Sequence, residues 1–123
     1  MTLPAADDRL LLIHNPRCSK SRALEAALIE RGLDFEIRLY LDEPLDAEEL
    51  SDLFGRLDRP AIDCVRSKEE EYGQAGLESG SDTAAVVDAV IRFPRLLERP
   101  ILVRGRSAEF GRPTERALGL LDD

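Results

Sequence analysis

The spacing of apolar residues changes period several times along the chain, and each change marks an element. Arg9 to His14 (R-L-L-L-I-H) is an almost unbroken apolar run, the pattern of a short strand buried on both faces. Asn15-Pro16 breaks it. From about Cys18 to Arg31 the period becomes helical, with Leu24, Ala27, Leu28 and Arg31 three or four apart and Gly32 standing as the C′ stop. Phe35 to Leu41 alternates Phe35, Ile37 and Leu39 with Glu36, Arg38 and Tyr40, which predicts a half-buried strand. A helical crossover between two strands implies that they run parallel.

The middle of the chain reads as helices. Asp46 with Glu49 predicts a capping box, Leu45 with Leu50 a hydrophobic staple, and Leu50, Leu53, Phe54 and Leu57 one buried stripe. Pro60 to Gly80 is mixed. It holds a short helical piece around Ile62 to Ser67, then Glu69-Glu70-Glu71, which read as a solvated face. Asp82 to about Phe93 forms a stronger helix with Val86, Val87, Val90 and Ile91 on one side, ended by Pro94. Pro100 to Arg104 and Arg106 to Phe110 predict two strands joined through an R-G-R turn, and Pro113 at the first helical position opens a last helix through Leu121. The order β-α-β, helices, β-β-α predicts an α/β protein of thioredoxin-like fold, a single domain over residues 1–123 with a helical insertion at about 45–97.

Composition narrows the partners. With 17 Lys+Arg against 25 Asp+Glu, the net charge of −8 argues against nucleic acid or an anionic membrane. No apolar run approaches the ~20 residues of a membrane helix, and the first nine residues lack the apolar core of a secretory signal, so a cytoplasmic protein is the default expectation. Two cysteines, Cys18 and Cys64, and one histidine, His14, cannot supply a disulfide framework or a four-ligand zinc site, and no metal or bound cofactor is expected. Fifteen arginines against two lysines reflect either base composition or guanidiniums aimed at an anion.

Cys18 stands where the first helix begins. Unpaired backbone N–H groups and the helix dipole favour a thiolate there, and Arg17, Lys20 and Arg22 add positive charge. Ser19 and Ser21 can donate hydrogen bonds to sulfur. The residue three beyond Cys18 is Ser21, so the motif contains no resolving thiol, and Cys18 to Arg22 is too short for the C-x5-R loop of phosphatases. A second thiol must come from outside or from Cys64, which reads either as apolar filler or as a redox partner. His14 has either a site role or a plain backbone hydrogen bond. Arg22 reads equally as helix surface.

Four motifs in order resemble the successive signatures of the glutaredoxin-coupled arsenate reductase family: H-N-P-R-C-S-K-S-R from His14, Val65-Arg66 with Tyr72 six beyond, E-R-P-I-L-V from Glu98, and G-R-P-T-E from Gly111. The resemblance implies that Cys18 is the nucleophile that attacks arsenate. It implies that Arg66, Arg99 and Arg112 hold the oxyanion, that Pro100 is a cis-proline facing the active cysteine, and that His14 lies near the thiol. It further implies glutathione as co-substrate and glutaredoxin as the protein that resolves the mixed disulfide. Two readings of other kinds are compatible with the fold: a redox-responsive regulator or adaptor, and a monothiol glutaredoxin-like enzyme acting on glutathione adducts. Ser21 with Arg99 and Arg112 counts against the first, and the helical insertion with the arginine set counts against the second.

Overall fold

A computed structural model of the chain describes residues 3–122. Contacts divide the chain into two compact units, Pro4–Glu43 with Arg99–Asp123, and Met1–Leu3 with Pro44–Glu98.

The first unit carries the sheet. Strand β1 (Leu10–His14) lies between β2 (Glu36–Leu39) and β3 (Ile101–Arg104), and β4 (Ser107–Phe110) completes the order β2-β1-β3-β4. β1 pairs parallel with β2 and antiparallel with β3, and β3 pairs antiparallel with β4. All five β1 residues are buried, as an uninterrupted apolar run requires. Helix α1 (Ser19–Glu30) and helix α5 (Thr114–Leu118) contribute Leu24, Leu28 and Ala117 to a core with Leu10, Leu12 and Leu102. α1 stops in a Schellman motif: Leu33 N–H donates to Leu28 O (3.2 Å), Gly32 N–H donates to Ile29 O (2.9 Å), and Gly32 takes φ +69°. With its β-α-β and β-β-α halves, this is the thioredoxin-like arrangement read from the element order.

Two readings need correction in this unit. β2 is an edge strand, with Ile37 44 % exposed and Tyr40 only 1 % exposed. The chain leaves the strand at Leu39, whose carbonyl accepts the N–H groups of Asp42 (3.0 Å) and Glu43 (2.8 Å), and this turn carries Tyr40 inward. Pro113 is the residue before α5, in extended conformation (φ −69°, ψ 167°), rather than its first helical residue.

The second unit is helical. Helix α2 (Ala47–Leu57) opens with the expected capping box, Glu49 N–H to Asp46 Oδ1 (2.8 Å) and Asp46 N–H to Glu49 Oε1 (3.0 Å), and buries Leu50, Leu53, Phe54 and Leu57. The short piece after it is a 3-10 turn at Ala61–Cys64. Helix α3 (Glu70–Gln74) follows, and then helix α4 (Thr83–Arg92), capped by Asp82. α4 buries Val86, Val87, Ala89 and Val90, while Ile91 is 46 % exposed, because the buried arc is centred on Val86 and Val90. The glutamate triplet is not a solvated face. Only Glu70 is exposed; Glu69 pairs with Arg66 (3.0 Å) and Arg95 (3.5 Å), and Glu71 with Arg95 (3.7 Å).

Gly111 is a tightly packed point of the sheet unit. A Cβ there would stand 2.7 Å from Pro100 Cγ and 2.9 Å from Leu24 Cδ2. Gly111→Ala is expected to destabilise the fold by about 1–3 kcal/mol, the usual range for overpacking. A urea unfolding midpoint equal to that of the parent protein would contradict this.

Candidate active site

The loop from His14 to Cys18 is built so that the sulfur sits on a helix start. Asn15, 8 % exposed, organises it. Its N–H donates to Ser21 Oγ (3.3 Å), its Oδ1 accepts Arg17 N–H (3.0 Å), and its carbonyl accepts Cys18 N–H (2.9 Å). Cys18 is the N-cap residue of α1, extended at φ −95° and ψ 125°, and its side chain makes no capping hydrogen bond. The sulfur is therefore available beside the first-turn N–H groups.

Burial of the Cys18 thiol works against ionisation, yet its pKa lies below the ordinary thiol value. The backbone N–H groups of Ser21 and Lys20 and the guanidiniums of Arg112 and Arg99 outweigh the burial. Ser21 thus acts on the sulfur through its backbone N–H, and its buried hydroxyl oxygen accepts from Asn15 N–H. Ser19 is exposed at the first helical position. Arg22 is turned back onto the loop, with Nη1 donating to Pro16 O (2.9 Å).

The arginines arrive through the sheet. Ile101 is paired with Phe110, and Gly111 N–H donates to Pro100 O (2.9 Å), which extends the β3–β4 ladder one step further. Arg99 and Arg112 flank that step on facing chains. Arg112 Nε donates to Arg99 O (2.7 Å) and Arg112 Nη2 donates to Cys18 Sγ (3.3 Å), so one guanidinium ties the two chains to the thiol. The Arg99–Pro100 bond is cis, as the resemblance implied, and Arg112–Pro113 is cis as well. Nothing in the sequence reading singled out that second bond, or Asn15 or Gly111. An Asn-Pro after a strand and two Arg-Pro pairs about a dozen residues apart are the signals that could have found them.

His14 is 3 % exposed, and its Nε2 lies 3.7 Å from Glu25 Oε1. Burial lowers its pKa, Glu25 partly opposes that shift, and Arg22 reinforces it, so the imidazole is neutral near pH 7. Its Nδ1 is buried without a hydrogen-bond partner among the described residues, which sets aside the plain backbone-carbonyl role at that nitrogen.

Arg66 belongs to the helical unit. Its N–H donates to Leu96 O (2.7 Å), and its guanidinium stands 3.0 Å from Glu69 and 3.9 Å from Glu98. Cys64, in the same unit, is fully buried with Sγ 3.6 Å from Pro60 O. Burial pushes its thiol up to about 11, which makes it a poor nucleophile.

A thiol of lowered pKa at a helix start, with two arginines on the facing chains of the β3–β4 ladder, can bind an anion beside a nucleophilic sulfur. The ArsC family model matches residues 13–120 of this chain. The chain belongs to the ArsC family. It is 42 % identical over 112 residues to an arsenate reductase of Neisseria meningitidis, covering 89 % of this chain and 96 % of that protein. It is 40 % identical to the uncharacterised protein YfgD of Escherichia coli, over 89 % of this chain and 94 % of that protein. Among solved structures, an arsenate reductase from Vibrio cholerae superposes with a TM-score of 0.86 at 34 % identity, covering 95 % of this chain and 99 % of that one. The ArsC match begins at Ile13, one residue before the loop that positions Cys18, and runs beyond Arg112. Among the described residues, no helix is long and apolar enough to cross a membrane.

Because the shift is downward, alkylation of Cys18 by iodoacetamide is expected to reach half its maximal rate below pH ~8.5, the value of a free thiol. Arg112→Ala removes an N–H donor and a charge, and is expected to move that midpoint up. A parent midpoint at or above the free value would contradict the electrostatic account.

Proposed function

We propose that this chain reduces arsenate to arsenite through a covalent adduct on Cys18, with glutathione and glutaredoxin supplying the electrons. The observation that carries this reading is the Arg112 Nη2 to Cys18 Sγ hydrogen bond at 3.3 Å, with Arg99 also bringing positive charge to the sulfur. Arsenate is a tetrahedral anion, and guanidiniums and helix-start N–H groups are its natural donors. The arsenate reductases among its relatives support the same substrate.

In this mechanism the Cys18 thiolate attacks arsenic, an S–As bond forms, and an As–O bond breaks with loss of hydroxide, which leaves as water after taking a proton. Arg99 and Arg112 hold the remaining anionic oxygens. The glutathione thiolate then attacks the Cys18 sulfur. An S–S bond forms, the S–As pair of electrons departs with arsenic, and As(V) leaves as As(III) in arsenite. A glutaredoxin thiol takes the glutathionyl group and restores Cys18. The motif itself holds no second thiol, and Cys64 stays protonated, so the resolving sulfur comes from outside the chain.

The test is arsenite formation by the purified protein with glutathione and glutaredoxin, each also omitted in turn. Turnover is expected to vanish in Cys18→Ser and to survive largely intact in Cys64→Ser; the reverse pattern would overturn the assignment. Arg99→Ala and Arg112→Ala are expected to lower kcat/KM for arsenate by about 10- to 150-fold each, as for lost charge-assisted hydrogen bonds. Arg66→Ala is expected to cost less, since Glu69 and Glu98 already share its charge.

A further inference from the structure

A cavity of about 270 Å³ opens beside the Cys18 loop, close to the lower bound of about 300 Å³ for small-molecule sites. It is lined by the loop residues His14, Asn15, Pro16 and Arg17 and by Leu39, Leu41 and Asp42 at the end of β2. Its walls end one residue short of Cys18. Leu39, Leu41 and Pro16 give it an apolar lining, and two groups of opposite charge, Arg17 and Asp42, belong to the same cavity. Neither charge is spent inside the protein: among the described residues neither side chain makes an ion pair, with the other or with a third group. His14, also in the wall, is 3 % exposed with its Nδ1 unpartnered. Glu25 at 3.7 Å favours the proton on Nε2, which leaves Nδ1 as an acceptor.

An apolar slot with one free cation and one free anion matches a zwitterion. We propose that this cavity binds the α-amino-acid end of the thiol co-substrate, its carboxylate on Arg17 and its ammonium on Asp42. Glutathione carries such an end on its γ-glutamyl residue. Bound this way, a small thiol peptide would lie against the loop residues His14 to Arg17, which lead directly into Cys18. The inference rests on the thiol-dependent reading of the site, which it extends by naming the part of the thiol that is recognised.

The test uses S-methylglutathione, which cannot react, titrated into the full chain and followed by NMR amide shifts. Shifts are expected at residues 14, 15, 17 and 39–42. Arg17→Gln and Asp42→Asn, both at exposed positions, are each expected to weaken binding about three- to tenfold, in line with partly exposed charge pairs. An analogue lacking the α-ammonium is expected to bind weakly to the parent protein and to lose nothing further in Asp42→Asn. Absence of shifts at these residues, or parental affinity in both variants, would overturn the proposal. Binding without arsenate turnover would sink the functional reading and leave this one standing; turnover supported equally by 2-mercaptoethanol, with no binding, would do the opposite.

Discussion

The site depends on a contest at one sulfur. Burial opposes charge on the Cys18 thiol, and it is the largest single influence there. It loses because four favourable contributions act together: two backbone N–H groups at the start of α1 and two guanidiniums brought by the sheet. Neither source is ornamental. The helix start requires that Asn15 and Ser21 hold the loop in place, and the guanidiniums require that β3 and β4 end side by side.

The sheet therefore does more than support a core. Its β3–β4 ladder runs one hydrogen bond past the strands, from Gly111 to Pro100, and the two arginines follow from that register. Gly111 has to be a glycine because the Pro100 ring and Leu24 leave no room for a Cβ. Leu24 is also a core residue of α1, so the packing that anchors the helix bearing the thiol also touches the turn that bears Arg112.

Local signals were legible where one residue type has one job. The capping box at Asp46 and Glu49, the stop at Gly32, the helix-start cysteine and the cis bond before Pro100 were all readable from residues or motif. Misreadings arose where the deciding partner lies elsewhere in the chain. Ile37 alternates like a buried residue, but its strand has a neighbour on one side only. Glu69 and Glu71 look solvated until Arg95 and Arg66 fold against them. Ser21 reads as a hydroxyl donor to sulfur, and periodicity carries no sign that its backbone N–H takes that part. His14 could be placed at the strand end, but the burial that leaves its Nδ1 unsatisfied is set by packing that no short motif encodes.

The fork of Arg112 is anchored at one prong by the Arg99 carbonyl and touches sulfur with another. Once that sulfur is alkylated or esterified, its negative charge is gone and the second prong is handed to whatever anionic group the sulfur has acquired. When the bond is cut and the thiolate re-forms, the same N–H is reclaimed. A bare thiolate and a group bound to the sulfur would thus draw on the same donor, and it cannot serve both at once.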